Sequence, residues 1–343
     1  MTTPHDADTV RAKDLVFPAM LCAATFFIAL TLAIVLGLSG TAILATYWLG
    51  SLYPAVLLLM IWSVFPSGQG AEYRACGPLK AIRMLLAKRW PLLLFPLLLT
   101  PIFNTGYTVA KTAFPHFVGF GWDGYWTQVD RTMFGVDPWR ITHALFGPLA
   151  SEWLARIYTI GWGLALLLVL PATILWAKAR TALRVHLSFM LTWFFGGVVG
   201  ATLFSSAGPI FAILSDPALA DYFMPLDIAL GQVLPDTSII LRTQAYLQGS
   251  IGTGAITNGT GISAMPSMHL ATAALYVLLA QRTKFFIPAI IFWLIMWIGS
   301  VHLGYHYAVD GIGGALVAWA AWRVTAARPA CATAERSLQL AVA

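Results

Sequence analysis

Apolar runs of about 20 residues recur from Leu15 almost to the C-terminus, with no long polar linker between them. A hydrocarbon core about 30 Å thick takes roughly 20 helical residues to cross. In lipid, each segment must also satisfy its own backbone N–H and C=O groups. The chain is therefore expected to be all-α, a polytopic transmembrane helix bundle of about eight spans. These are Leu15–Leu38, Thr41–Phe65, Trp90–Ala110, Leu154–Trp176, Leu187–Phe204, Pro266–Ala280, Phe285–Leu303 and His306–Ala327. With 59% hydrophobic and 10% charged residues, the chain exceeds the apolar content of a soluble domain, about 45–50%. One integral-membrane domain over 1–343 is expected, with no soluble domain appended.

Charge bias gives the orientation. With the N- and C-termini cytoplasmic, only five of the 20 Lys and Arg fall outside: Lys111, Arg131, Arg140, Arg156 and Arg242. Positive residues accumulate on the cytoplasmic side of membrane proteins, so this assignment is favoured. The formal charge of +6 belongs to that pattern; the basic residues form no stripe with interleaved aromatics, so no nucleic acid partner is expected. Cys22, Cys76 and Cys331 are too few and too scattered for a disulfide framework or metal cluster. The first apolar run is too long for a signal-peptide core and is expected to remain as an anchor.

Two outer segments are long, 111–153 and 207–262. The first is dense in aromatics, among them Phe114, Trp122, Tyr125, Trp126 and Trp139, and such residues favour the headgroup layer. The second offers Asp236 as an N-cap before Ser238–Gln248, then Gly249, Gly252, Gly254, Gly259 and Gly261. That pattern predicts interfacial helices on the outer face and a flexible hinge, so the segment could be a lid or a passive connection.

Chemistry concentrates in the C-terminal part, where the catalytic helices are expected over 186–327. Pro266-Ser267-Met268-His269 opens the sixth span; His306 and Asp310 open the eighth. By parity both groups lie on the non-cytoplasmic face. Ionisable residues at membrane depth are costly and functional by default. Residues four apart share a helix face, so Asp310 is positioned to hold one nitrogen of His306 and leave the other free as nucleophile or base. Pro266 suits a first helical position, and helix N-termini present N–H groups to an anion. The sixth span is short, which recesses the site and suits a lipid phosphate whose tails stay in the bilayer. His302, His306 and Asp310 also form an HxxxHxxxD pattern that could ligate zinc from one helical face, with His269 as fourth ligand. A non-enzymatic transporter or scaffold is the third reading, disfavoured because few ionisable residues lie inside the spans.

Ala264-Met265-Pro266-Ser267-Met268-His269 and Gly304-Tyr305-His306-Tyr307-Ala308-Val309-Asp310 resemble the second and third motifs of the type 2 phosphatidic acid phosphatase superfamily. Asp130-Arg131-Thr132-Met133-Phe134-Gly135 with Pro138-Trp139, and Ala207-Gly208-Pro209, look more like its inositol phosphorylceramide synthase branch. The resemblance implies a lipid phosphotransferase or phosphatase needing no cofactor or metal. His306 would attack phosphorus, Asp310 orient it, and His269 protonate the departing oxygen. A phosphohistidine would then pass to water or an alcohol acceptor. Donor candidates are phospholipids and other phosphorylated lipids, sphingolipids included.

The chain departs from the phosphatase pattern: Ser300 stands where the third motif usually has arginine, and no lysine and arginine pair precedes Pro209. A phosphodiester monoanion needs fewer cations than a phosphomonoester dianion, so headgroup transfer is favoured over dephosphorylation. The remaining expected phosphate contacts are Ser267, His302, Arg242 and Ser300.

Overall fold

The computed structural model describes residues 9–38, 41–65, 71–250, 256 and 260–326. These form helices and connecting turns with no strand among them. The helices of eight residues or more are α1 (Val16–Leu36), α2 (Thr41–Val64), α3 (Pro78–Val118), α4 (Asp123–Phe134), α5 (Pro138–Leu145), α6 (Pro148–Trp176), α7 (Ala179–Leu203), α8 (Pro217–Val233), α9 (Ile239–Ser250), α10 (Met268–Ala280), α11 (Phe286–His302) and α12 (Ala308–Val324). By length and composition, α1, α2, α3, α6 and α7 are long and apolar enough to cross a membrane. Helices α10 and α11 are apolar but shorter. Large apolar side chains such as Phe27, Ile34, Leu57 and Met60 stand exposed on α1 and α2, as expected of a surface that faces hydrocarbon.

The core lies where α3, α7, α10 and α12 meet, filled by Phe95, Phe103, Phe189, Met190 and Leu275. A second cluster, around Leu226, Leu230, Ile240 and Met296, joins α8, α9 and α11. Small residues set the close approaches. At Gly314 on α12, a Cβ would collide with the Ser267 carbonyl oxygen ahead of α10, so glycine is what lets these two helices touch.

Several element boundaries differ from expectation, each for a local reason. Helix α3 begins twelve residues before the expected Trp90. Its basic first turns stay helical because Ala81 and Leu85 are buried and Arg89 donates to the carbonyls of Ile174 and Ala177, capping the C-terminal end of α6. Pro91, Pro96 and Pro101 are absorbed by non-helical dihedrals at Arg89 and a widened turn at Phe95–Leu99. The sixth expected span starts at Met268 rather than Pro266, because Ser267 is the N-cap. The eighth starts at Ala308 rather than His306. Asp236 is not the cap of α9, which starts at Ile239. The preceding Ser238 hydroxyl is turned to Glu152 Oε2 at 2.9 Å. The outer segment 207–262 holds a further helix, α8, ahead of the one expected over Ser238–Gln248. Gly252, Gly254 and Gly259, most of the expected hinge, lie outside the described residues, as do the two chain ends and Cys331.

Candidate active site

His269 is the second residue of α10, and His306 sits in the turn that joins α11 to α12. That turn is shaped by Gly304 at φ +73 and by the Ser300 carbonyl, which accepts from the Tyr305 and His306 N–H groups. The two imidazole centroids are 6.1 Å apart. His306 Nδ1 lies 2.9 Å from the Ala264 carbonyl oxygen and 3.3 Å from Asp310 Oδ2. A carbonyl oxygen only accepts, so Nδ1 carries the proton and donates, and the Nε2 lone pair is left free. Asp310 Oδ2 also accepts from the Tyr307 N–H at 2.9 Å. His269 is held by its faces: Tyr158 stacks at 4.5 Å and Trp162 lies at 4.1 Å, centroid to centroid. Both rings come from or beside a widened turn of α6, Ile157–Gly161.

Helix α4 secures this constellation from outside. Asp123 and Asp130 lie seven residues apart, hence on one face, and both are buried. Asp123 accepts from the Ala207 and Gly208 N–H groups at 2.9 and 2.8 Å and from the Tyr307 hydroxyl at 3.0 Å. Asp130 accepts from Ala308 and Val309 N–H at 2.7 and 3.0 Å, capping α12 two residues after His306. Burial pushes the Asp130 carboxyl up to about 6, against the pull of those two N–H groups. Burial likewise raises Asp123. Gly208, at φ +92, packs so tightly on the Tyr305 carbonyl that no side chain fits there.

The imidazoles open into a cavity of about 550 Å³ that extends between α2, α3, α6 and α7. Its lining is mostly apolar, including Leu166, Leu167, Leu170 and Phe189, with Thr100, Asn104 and Thr108 along α3. Lys111, at the end of that row, is the single Lys, Arg, Asp or Glu among the lining residues.

The structure thus brings His269, His306 and Asp310 together, but it disperses the expected phosphate contacts. Ser267 is buried and caps its own helix, its hydroxyl accepting from Leu270 N–H at 3.4 Å. Ser300 donates back to the Trp297 carbonyl at 2.8 Å. Arg242 is exposed on α9 and does not line the cavity. His302 stacks on His143 at 4.1 Å and bonds to Thr142 and Ser151 at 3.2 and 2.8 Å, tying α11 to α5 and α6. The zinc pattern fails for the same reason: the helix ends at His302, so His302 and His306 share no face. No group of three potential His, Cys, Asp or Glu ligands converges among the described residues. Sequence reasoning gave no site role to Lys111, Tyr158, Trp162 or Asp123, and none to Asp130 beyond its place at the head of a family-like motif. The seven-residue spacing of Asp123 and Asp130 within an aromatic helix was a signal that both share one face.

Paired imidazoles beneath a row of carboxylate-anchored turns, in an all-helical chain with membrane-length apolar helices, define a polytopic membrane protein with a buried candidate site for an anion. The chain belongs to the PAP2 superfamily, whose family model matches residues 129–324, more than half of its length. It is accordingly a membrane enzyme of the lipid phosphatase or phosphotransferase type. No curated protein and no solved structure matches it.

Proposed function

We propose that the enzyme transfers a phosphorylated headgroup from a phospholipid to an alcohol through a phosphohistidine, as in the inositol phosphorylceramide synthase branch. The observation that carries this reading is the free Nε2 of His306, fixed by the Ala264 and Asp310 acceptors, facing a second imidazole across one cavity. His306 Nε2 forms a bond to phosphorus while the bond to the departing alkoxide oxygen breaks, and His269 donates a proton to that oxygen. Neutral His269 then takes the proton of the acceptor hydroxyl. The new oxygen bonds to phosphorus as the P–N bond breaks, which returns both imidazoles to their starting states. Asp310 offsets the positive charge that develops on the substituted ring.

Transfer is preferred to hydrolysis because one formal cation lines the cavity. A diester carries one negative charge, and each further charge would need its own charge-assisted partner. The Lys and Arg bias supports a site on the non-cytoplasmic face. The test uses purified full-length protein and a headgroup-labelled phosphodiester lipid, with and without an alcohol acceptor. Acceptor-dependent lipid product and an acid-labile labelled protein, absent in His306→Ala, are expected. Release of free phosphate from a phosphomonoester lipid, with no product from the diester, would turn the reading to the phosphatase alternative, and full activity in His306→Ala would end both.

A further inference from the structure

The expected phosphate-binding side chains lie elsewhere, so the origin of the cavity's positive charge is open. Lys111 lies on α3, upstream of the family-matched residues 129–324. Its place is set by contact with the segment that enters α10. A Cβ on Gly261, at φ +94, would stand 3.1 Å from the Lys111 carbonyl carbon, Lys111 Cγ and the Thr112 nitrogen. Thr112 Oγ1 is 3.3 Å from Thr260 Oγ1. Three residues past Gly261, the Ala264 carbonyl accepts the hydrogen bond from His306 Nδ1–H. The end of α3 and the His306 acceptor are therefore parts of one docked unit.

The Lys111 ammonium has no hydrogen-bond or ion-pair partner among the described residues, and it lines the same cavity as His269 and His306. An unpaired ammonium in a largely apolar cavity is costly until an anion joins it. Tyr47, nearby in the lining, is already bonded to Thr108 at 2.6 Å.

Resting on the reading above, we propose that Lys111 is the phosphate-binding cation of the site. It would hold a non-bridging oxygen of the lipid phosphate between His306 and His269. The charge that the third motif usually draws from its own helix would then come from α3 instead.

The test measures inhibition by orthovanadate and tungstate, together with kcat and KM for the diester lipid, in wild type, Lys111→Met, Lys111→Gln and Lys111→Arg. Methionine keeps the stem that packs on Gly261, so the melting temperature is expected to hold within a few degrees. Met and Gln should raise the oxyanion Ki and the KM at least tenfold, and Arg should recover most of both. Wild-type Ki and KM in a folded Met or Gln variant would overturn the proposal. Should Met not fold, Gln against Arg decides alone. A phosphohistidine lost in His306→Ala but unaffected by either Lys111 variant, with oxyanion affinity unchanged, would sink this inference and leave the reaction standing.

Discussion

The Ala264 carbonyl decides which nitrogen of His306 is free, because an oxygen without a proton admits only a donor at Nδ1. Asp310 completes that arrangement from the third position of α12. Asp310→Asn should still accept the Tyr307 N–H yet offer no charge to a substituted imidazole. Its turnover is expected to fall roughly 10²-fold or more with the melting temperature little changed, read from kcat beside a thermal unfolding curve. His302 gives the opposite pattern. Its two side-chain bonds hold α11 against α5 and α6, and a hydrogen bond contributes about 0.5–1.5 kcal/mol net. His302→Ala should cost about 1–3 kcal/mol of stability while keeping its turnover per folded molecule. Its metal content and its activity in EDTA should match wild type. Loss of activity on chelation would restore a metal role.

At the scale of elements, α4 does the positioning. With Asp130→Ala, two N–H groups at the start of α12 lose their acceptor, a capping loss of about 1–2 kcal/mol expected to appear as a lower melting temperature and a lower kcat. Asp130 also predicts a pH dependence. Its carboxyl titrates near 6, raised first by burial and further by Asp310 and Asp137. Below that pH it takes up a proton and accepts more weakly, so activity should fall on acidification through about 6. Asp130→Asn, which has no such titration, should lack that limb, and an identical acid limb in both proteins would refute the assignment. These carboxylates show why the sequence was only half legible. His269, His306 and Asp310 sit in short local patterns, whereas Asp123 reaches Gly208 and Tyr307 across 85 and 184 residues. Lys111 is brought to the same cavity by packing on Gly261, 150 residues further along the chain. No local periodicity encodes such pairings. Arg242 shows the converse: it is the only Lys or Arg in 207–262, yet it stands exposed on α9 and away from the cavity lining.

For the whole molecule, apolar run length was enough to give the helical bundle, because backbone satisfaction in lipid leaves a single alternative to a barrel. Boundaries moved where polar groups found partners, as Arg89 did at the end of α6. Orientation is testable with Cys22, Cys76 and Cys331 replaced by serine. Thr132→Cys, exposed on α4, should react with a membrane-impermeant maleimide in intact cells, and Lys80→Cys should not. The reverse labelling would invert the orientation. The cavity has its own consequence for kinetics. It is the size of a drug-like ligand site, and its walls pass without a break from imidazole to leucine. A lipid seated there keeps its tails among its neighbours and arrives by lateral diffusion rather than from water. Velocity should then track the mole fraction of substrate in a mixed micelle, staying constant when micelles of fixed composition are merely diluted.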